Sequence, residues 1–205
     1  MIISLTPDTL ALSGGGVAAI VVGGGLLLLA IVGIVMYNRL VHLRQSCKES
    51  WADIDAELQR RHDLIPNIVE TVKGYASHER SVLETVTTLR NQAVSAKQQG
   101  AADRFDIEQQ LGAATSGLMV QLEAYPDLKA NANFLQLQQE LSETETRIAR
   151  ARRFYNDNVR DFHNGVQMFP SSMVASAGGF KQSEHTYFEA GGSSREPVQV
   201  GFDKA

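Results

Sequence analysis

The feature that most constrains the fold is a long stretch without charge near the start of the chain. From Thr9 to Asn38 no side chain is charged, and the most apolar part runs from Val17 to Met36. A helix needs about 20 apolar residues to cross the hydrocarbon core of a bilayer. A cleaved signal peptide would have a basic start and a shorter apolar core, whereas the start here carries only Asp8. The sequence therefore predicts a transmembrane helix, surrounded by membrane lipid, within a first segment of residues 1–36.

Basic residues follow this segment and do not precede it. Arg39, Arg44 and Lys48 come directly after it, and no Lys or Arg comes before it. Because short flanks rich in Lys and Arg stay on the cytoplasmic side, we expect the amino terminus to lie outside and the remainder of the chain in the cytoplasm.

Small residues recur along one side of the predicted transmembrane helix. Gly15, Ala19 and Gly23 are spaced four residues apart, which places them on one helix face. Such faces allow membrane helices to approach closely and to pack. Glycine is also frequent in membrane helices in general, and the sequence leaves both interpretations open. If the face packs, the protein is a homo-oligomer in the membrane.

An apolar stripe begins where the uncharged stretch ends. Its apolar members are three or four residues apart except at Arg61, which is the periodicity of one helix face. They are Cys47, Trp51, Ile54, Leu58, Ile65, Ile68, Val72 and Tyr75. Arg44 and Arg61 also fall on the stripe, and we expect their stems to cover apolar surface while their charged heads stay in water. Pro66 removes a backbone donor and disfavours helix at Ile65, so we expect a kink or a restart of the helix there.

The same region resembles a known family. The run Arg60–Glu79 is similar to the signature of the LemA family of bacterial membrane proteins. The resemblance extends upstream through Tyr37–Val41 and Trp51, and downstream through Tyr125–Asn131 and Thr146–Asn156, so that it covers roughly residues 37–180. It implies a helical domain on a membrane anchor at the bacterial inner membrane, with that domain in the cytoplasm. It implies no particular reaction.

Three further amphipathic helices are predicted downstream. The second is capped by Ser77 and ends near Gly100, and the third is capped by Asp103 and closed by Pro126. The fourth runs from about residue 133 to residue 166. The apolar stripes are Val82, Val86, Leu89, Ala93 and Ala96 on the second helix, Ile107, Leu111, Ala114, Leu118, Leu122 and Tyr125 on the third, and Phe134, Leu137, Leu141, Ile148, Tyr155, Val159 and Phe162 on the fourth.

Four amphipathic helices with short connections predict an all-α fold. We expect an antiparallel four-helix bundle over residues 37–169, with long first and last helices, preceded by the transmembrane helix. Residues 170–205 form a tail rich in Gly and Ser, in which Ser171–Gly179 is small and polar and Gly191–Ser194 is linker-like. A disordered tail would hold fewer aromatic residues than Phe180, Tyr187, Phe188 and the segment Pro197–Phe202 contribute. We therefore expect a partly ordered tail that docks on its own bundle or, by strand addition, on a neighbouring subunit.

Catalytic and metal-binding patterns are not found in the sequence. Cys47 is the single cysteine and lies on the apolar stripe, which favours a buried small hydrophobe. None of the five histidines belongs to a His-Glu-x-x-His or Glu-x-x-His motif. The glycine triplets lie in or beside the transmembrane helix, where they cannot cradle a nucleotide. We expect no catalytic residue, no cofactor and no metal site, and the protein is not predicted to be an enzyme.

The charge balance also argues against a nucleic-acid partner. The chain has 19 basic and 23 acidic residues, which gives no attractive field for nucleic acid. A basic stretch on the fourth helix could bind anionic headgroups or nucleic acid; it comprises Arg147, Arg150, Arg152, Arg153 and Arg160. We favour a solvated face with ion pairs, because Glu143 lies four residues before Arg147 and Asp53, Asp55 and Glu57 of the first helix offer further partners.

A dense polar patch surrounds the proline, where the resemblance to the family is strongest. It comprises Arg60, Arg61, His62, Asp63, Pro66, Asn67, Glu70 and Lys73. One interpretation is structural, because polar side chains can satisfy the backbone carbonyl that a proline leaves free. The other interpretation is a contact surface for another subunit or for a partner protein.

The leading functional hypothesis is a non-enzymatic scaffold that self-assembles at the bacterial inner membrane and presents a cytoplasmic interaction surface. The alternative is an adaptor or regulator of a single membrane enzyme, such as a protease or a transporter. An enzyme with a site assembled across several helices ranks third. Each of the first two hypotheses requires a partner protein that the sequence does not identify.

Overall fold

The structure, a computed structural model, describes residues 14–75, 79–96 and 101–188, with the backbone alone at residue 14 and residues 101–103. Every regular element in this part of the chain is helical, so the predicted all-α class is confirmed there. The elements are α1 (Gly14–Lys73), α2 (Arg80–Ser95), α3 (Ala101–Leu122), α4 (Pro126–Lys129), α5 (Ala132–Gln167), α6 (Ser171–Ala177) and a 3₁₀ turn (Gln182–Glu184).

The predicted transmembrane helix and the first helix of the domain are one continuous element, α1, of 60 residues. Its amino-terminal part is long and apolar enough to cross a membrane, with a mean hydropathy of 2.7 over its most apolar 18-residue window. The side chains of that window are exposed, as a lipid-facing segment requires. Farther along α1 most of the predicted stripe is buried, whereas Trp51 is half-buried and Tyr75, its last member, is 43% exposed. α1 continues through Pro66 without a restart.

Helices α1 and α5 pack against each other in antiparallel directions. Arg61 Nη1 lies 3.1 Å from Glu145 Oε1, and farther along α5 the Nδ2 of Asn158 donates to the Ser46 carbonyl at 3.4 Å. The start of α5 is fixed by Asn131, whose side-chain oxygen accepts from the backbone N–H groups of the second and third residues after it. Such a cap satisfies donors that a helix start otherwise leaves unpaired.

The apolar interior consists of two clusters, which we call the distal and proximal cores according to their distance from the predicted transmembrane segment. The distal core is Ile65, Ile68, Val69, Val72, Leu83, Val86, Ala93, Leu111, Leu118, Leu122, Leu128, Phe134 and Leu141. The proximal core is Leu40, Cys47, Ile54, Leu58, Phe105, Ile148, Tyr155, Val159, Phe162, Ala175, Phe180 and Phe188. Most of the predicted stripe residues thus face the interior.

The helix ends differ from the predicted ones in several places. α3 begins at Ala101, so Asp103 lies within the helix and does not cap it. α3 ends at Leu122, before Pro126, which begins the short helix α4. The predicted caps Ser77 and Gly100 lie outside the described residues.

The first part of the tail docks on its own bundle. Residues Ser171–Ala177, which the sequence placed in a small and polar tail, form α6. Phe180 and Phe188 are 5% and 3% exposed in the proximal core. Asn156 anchors the chain there, since its side chain exchanges two hydrogen bonds with the Phe188 backbone at 2.8 and 3.0 Å. The segments 191–194 and 197–202 lie outside the described residues.

Cys47 is fully buried in the proximal core, and its thiol is predicted to be unreactive in the folded protein. Burial, assisted by the negative charge of Asp161, raises the pKa of Cys47 to about 11. At pH about 8 we expect alkylation to be at least roughly a hundredfold slower than in denaturant, since the thiolate is the reactive form. Mass spectrometry of the alkylated full-length protein measures this. The variant Gln45→Cys, at an exposed neighbouring position, should gain one label in the folded state. Equal alkylation rates with and without denaturant would contradict the buried position.

Candidate functional site

The predicted polar patch divides into a buried half and an exposed half. Arg61 and His62 are only 2% and 4% exposed, and both contact Glu108 on α3. The remaining members, Arg60, Asp63, Pro66, Asn67, Glu70 and Lys73, lie on the exposed side of α1. The expectation that the head of Arg61 stays in water is wrong, because carboxylates from two other helices surround it.

Arg61 is the centre of a buried ion-pair network. Its Nη2 donates to a carboxylate oxygen of Glu108 and, at 2.9 Å, to the backbone carbonyl of the same residue. Its Nη1 lies 3.1 Å from Glu145 Oε1 on α5. Transferring a charge from water to an apolar interior costs several kcal/mol unless it is paired and hydrogen-bonded. The network therefore links α1, α3 and α5 at the same position along the length of the domain.

This network forms a polar layer between the two apolar cores. On each of the three helices, the charged residue lies between one residue of the proximal core and one residue of the distal core. The flanking pairs are Leu58 and Ile65 on α1, Phe105 and Leu111 on α3, and Ile148 and Leu141 on α5. Sliding any one helix by a turn would leave buried charges without partners, so the layer selects the register of the three helices.

His62 contacts the same carboxylate as Arg61. Its Nε2 lies 3.0 Å from Glu108 Oε1, and both side chains are buried. Burial alone would raise the pKa of Glu108, but the hydrogen bond with His62 and the charge of Arg61 outweigh it and hold the pKa below its usual value of 4.5. Glu108 is therefore ionised at neutral pH.

Gly112 allows the guanidinium of Arg61 to approach α3. A Cβ atom at this position would lie 3.1 Å from Arg61 Nη1. A cavity of about 240 Å³ opens beside this contact, and Arg152 also lines it. Burial and the positive charge of Arg61 lower the pKa of Arg152. A Cβ atom at position 112 would crowd this contact, and the guanidinium would have to shift by a few tenths of an ångström.

A second ion pair joins α1 and α3 nearer the predicted transmembrane segment. Arg104 is 5% exposed, and its Nη2 lies 2.6 Å from Asp55 Oδ1. Its guanidinium also lies over the ring of Trp51, 5.3 Å from the centroid, which is a favourable cation–π distance. Asp55, which the sequence offered as a partner for arginines of the last helix, therefore pairs with α3. The predicted pairing of Arg147 is found with Glu143 at 3.5 Å and with Glu57 at 4.0 Å.

The carbonyl that Pro66 leaves free is satisfied from α2. A proline cannot donate to the carbonyl four residues before it, which here belongs to His62. Arg90 Nε donates to that carbonyl at 3.1 Å. The sequence assigned to the polar patch the role of satisfying this carbonyl. The residue that satisfies it, Arg90, lies outside the patch.

Three members of the exposed half of the patch line a groove between α1 and α2. Pro66, Glu70 and Lys73 form one wall, and Leu83 and Glu84 belong to the other. The groove has a volume of about 800 Å³. Lys73 Nζ lies 2.9 Å from Glu70 Oε2 at its edge. This surface combines apolar and charged side chains and is open to solvent.

The predicted packing face of the transmembrane segment lies on an exposed part of α1. A Cβ atom added at Gly15 or at Gly23 would meet nothing within 4 Å. Ala19 between them is also exposed. The backbone is therefore accessible along this side of the helix.

Sequence reasoning missed Arg90, Arg104, Glu108, Gly112 and Glu145. Two of these continue the buried face of α3, which comprises Arg104, Glu108, Leu111, Thr115, Leu118 and Leu122 at spacings of three and four residues. A search for apolar periodicity passes over charged members of such a face. The available signal was the coincidence of opposite charges at stripe positions on two helices, Arg61 on α1 and Glu108 on α3.

The chemistry of the polar layer is that of stable ion pairs. The Arg61 guanidinium is paired with two carboxylates, and its neighbours lower the pKa of Glu108. Among the described residues, no group of three or more His, Cys, Asp or Glu side chains is placed to hold a metal ion. The arrangement is therefore suited to holding three helices in register.

A long apolar helix continuous with a packed helical domain defines a membrane-associated helical protein. The chain belongs to the LemA family, since residues 50–202, more than half of its length, match the family model. The resemblance noted in the sequence is thereby confirmed.

Individual relatives are distant but cover most of the chain. Protein LemA of Metamycoplasma hominis is 26% identical over 138 residues, which are 67% of this chain and 63% of that protein. Magnetosome protein MamQ 2 of Paramagnetospirillum magneticum is 24% identical over 189 residues, covering 80% of this chain and 69% of that protein. Magnetosome protein MamQ of Magnetospirillum gryphiswaldense is 22% identical over 186 residues, covering 78% and 68%. The chain thus spans less than two thirds of the length of the first of these relatives.

Removal of the Glu108 charge should destabilise the domain. In Glu108→Gln, we expect the free energy of unfolding to fall by about 3 kcal/mol, because Arg61 stays buried with only Glu145 as a charged partner. Denaturant unfolding of the full-length protein in detergent, followed by circular dichroism, measures the loss. The control Glu70→Gln removes a carboxylate whose side chain is 77% exposed and should change the stability by less than about 0.5 kcal/mol. Equal stabilities of the two variants would contradict the polar layer.

The same carboxylate should make the stability depend on acidity. The pKa of Glu108 is lower in the folded state than its usual value of 4.5, so its stabilising contribution is complete above that value and is lost as the pH falls through the folded pKa. Unfolding measured at intervals from pH about 7 to about 3 should show the stability gap between the unaltered protein and Glu108→Gln shrinking at the acidic end. A gap that stays constant over this range would disprove the linkage.

Proposed function

We propose that the protein is a non-enzymatic, membrane-anchored helical scaffold that self-assembles through its transmembrane segment and presents a surface to other proteins. The observation that carries this proposal is the small-residue face of α1. Gly15, Ala19 and Gly23 lie on one side of an exposed helix, and the space beside both glycines is open. Small residues in such a line let two helix backbones come into van der Waals contact within lipid.

The continuity of α1 supports the coupling of membrane packing to the domain. One helix of 60 residues carries both the small-residue face and the buried stripe, so a contact within the membrane also sets the spacing of the domains outside it. We further infer that α1, α2, α3 and α5 form the antiparallel four-helix bundle of residues 37–169. The antiparallel α1–α5 contacts, the Tyr125–Glu79 hydrogen bond of 3.0 Å and the distal core support this arrangement.

The orientation follows from the positions of the basic residues. Arg39, Arg44 and Lys48 follow the apolar part of α1, and no basic residue precedes it in the sequence. The bias of Lys and Arg toward the cytoplasmic side supports an external amino terminus and a cytoplasmic domain at the inner membrane.

The groove between α1 and α2 supports a second candidate, an adaptor that binds one membrane enzyme. Its volume of about 800 Å³ and its mixture of apolar and charged side chains suit a peptide segment of another protein. The exposed half of the polar patch, which includes Glu70 and Lys73, is the part of α1 available to such a partner. In the scaffold proposal, the same groove is the surface presented to other proteins.

Measurement of the particle mass tests the scaffold proposal. The full-length protein, extracted in mild detergent, should form a uniform particle of several copies, and the double variant Gly15→Leu/Gly23→Leu should fall to a smaller one. Leucine at these positions keeps the segment apolar and blocks close approach. Gly24→Leu is the matched control, because Gly24 lies roughly 140° around the helix from the centre of the small-residue face.

The outcomes separate the two candidates. A monomeric unaltered protein would refute self-assembly through the membrane segment. A small particle that retains a second protein would favour the adaptor. An equal loss of mass in Gly24→Leu would show that the small-residue face has no special role.

A further inference from the structure

Three large apolar side chains are exposed together where α5 turns into α6. Met168, Phe169 and Met173 are 62%, 80% and 67% exposed. A phenylalanine exposed to this extent, next to two exposed methionines, is a costly surface in water. This cluster, which we call the α5–α6 apolar tip, is separate from both the polar layer and the groove.

The tip lies at the level where α1 leaves the predicted transmembrane segment. Gly165, just before the tip, is packed against α1, because an added Cβ would lie 3.0 and 3.1 Å from side-chain atoms of Leu43 and Leu40. Since α5 runs antiparallel to α1, each later residue of α5 is about 1.5 Å nearer the membrane. α5 continues in this direction to Gln167 and Phe169 follows two residues later, so the tip lies near the part of α1 between Tyr37 and Leu43, at the end of the apolar segment.

The residues that follow α6 contact α1 at Tyr37, which is the end of the apolar segment. The rings of Tyr37 and Phe180 are 5.5 Å apart in an edge-to-face arrangement. An added Cβ at Gly178 would lie 3.1 Å from the Tyr37 ring. Aromatic residues such as Tyr37 are typical of the boundary between lipid and water.

The tip is held in a defined orientation by the packing of α6. Ala175 is 1% exposed in the proximal core, and the Phe180 backbone N–H donates to its carbonyl at 3.0 Å. At the start of α6, the Ser171 hydroxyl and the Ser172 backbone N–H both donate to the Met168 carbonyl at 2.8 Å. The backbone on both sides of Phe169 is thus held in place by hydrogen bonds and by the packing of α6.

The charges around the tip match a lipid surface. Residues 168–183 contain one charged residue, Lys181, and no acidic residue. On α1, the charged residues between positions 37 and 48 are Arg39, Arg44 and Lys48, and of these Arg44 pairs with Glu184 at 3.8 Å. An end of the domain that is apolar at its tip and basic at its flanks suits acyl chains and anionic headgroups together.

We propose that the α5–α6 apolar tip is a second membrane contact, which inserts into the interfacial region of the bilayer beside the transmembrane helix. Its occupant is lipid, because the tip lies level with the end of the chain's own apolar segment. The proposal rests on membrane anchoring by α1 and is independent of self-assembly. Two adjacent contacts would fix the tilt of the domain on the membrane, which a single helix would leave free.

Tryptophan fluorescence in vesicles tests this contact. The full-length variant Phe169→Trp is reconstituted into vesicles of phosphatidylcholine and phosphatidylglycerol, with or without bromine atoms on the acyl chains. The matched control is Phe154→Trp, since Phe154 is 59% exposed on α5 but lies 13 residues, or about 20 Å, before the membrane-facing end of that helix at Gln167. Trp51, the single native tryptophan, contributes an equal background to both variants.

The proposal predicts blue-shifted emission from Phe169→Trp and a quenching by brominated lipid at least roughly twice that of Phe154→Trp. Emission typical of exposed tryptophan in both variants would overturn it. A blue shift without bromine quenching would also overturn it, because the tip would then be covered by protein. Quenching in a protein that is monomeric in detergent would support the contact while refuting the scaffold.

Discussion

A guanidinium among apolar side chains requires matched charges, and three helices of this protein are arranged to match that of Arg61. Glu108 from α3 and Glu145 from α5 reach it from different directions, and His62 holds the far side of the Glu108 carboxylate. A buried ion pair adds little net stability compared with apolar packing, yet breaking it is costly. Its main effect is therefore on which helix arrangement is allowed. The polar layer lies between the proximal and distal cores, and its ion pairs form only when the three helices are in the observed register.

The polar layer and the membrane segment belong to the same helix, which links the two properties that matter for function. α1 enters the domain without interruption, and Arg90 satisfies the carbonyl that Pro66 would otherwise leave free. The tail packs along the proximal core, with Phe180 against Tyr37 of α1 and Phe188 against Phe105 of α3. In the scaffold that we propose, this continuous helix would let contacts made within the lipid position the surfaces outside it.

Periodicity predicted a large part of this organisation, and its failures have physical causes. Cys47, Ile54 and Leu58 are buried as their spacing indicated. α6 was missed because Ser171–Ala177 has the composition of a linker, and Ala175 acquires its burial from helices distant in sequence. The predicted helix cap at Asp103 failed because α3 begins two residues earlier. Glu108 was missed because a charge on a buried face is recognisable only together with its partner.

By itself the sequence determined the membrane segment, the helical class and most of the residues that form the core. These follow from apolar length and from a spacing of three or four residues, which are local properties of the chain. Only the tertiary structure decided which charges are buried and where the tail returns. Arg61 and Glu108 are 47 residues apart, and Asn156 and Phe188 are 32 apart. Contacts between residues so far apart in sequence depend on how the helices pack, because the energies of desolvation and of charge pairing apply only when the two partners are in contact.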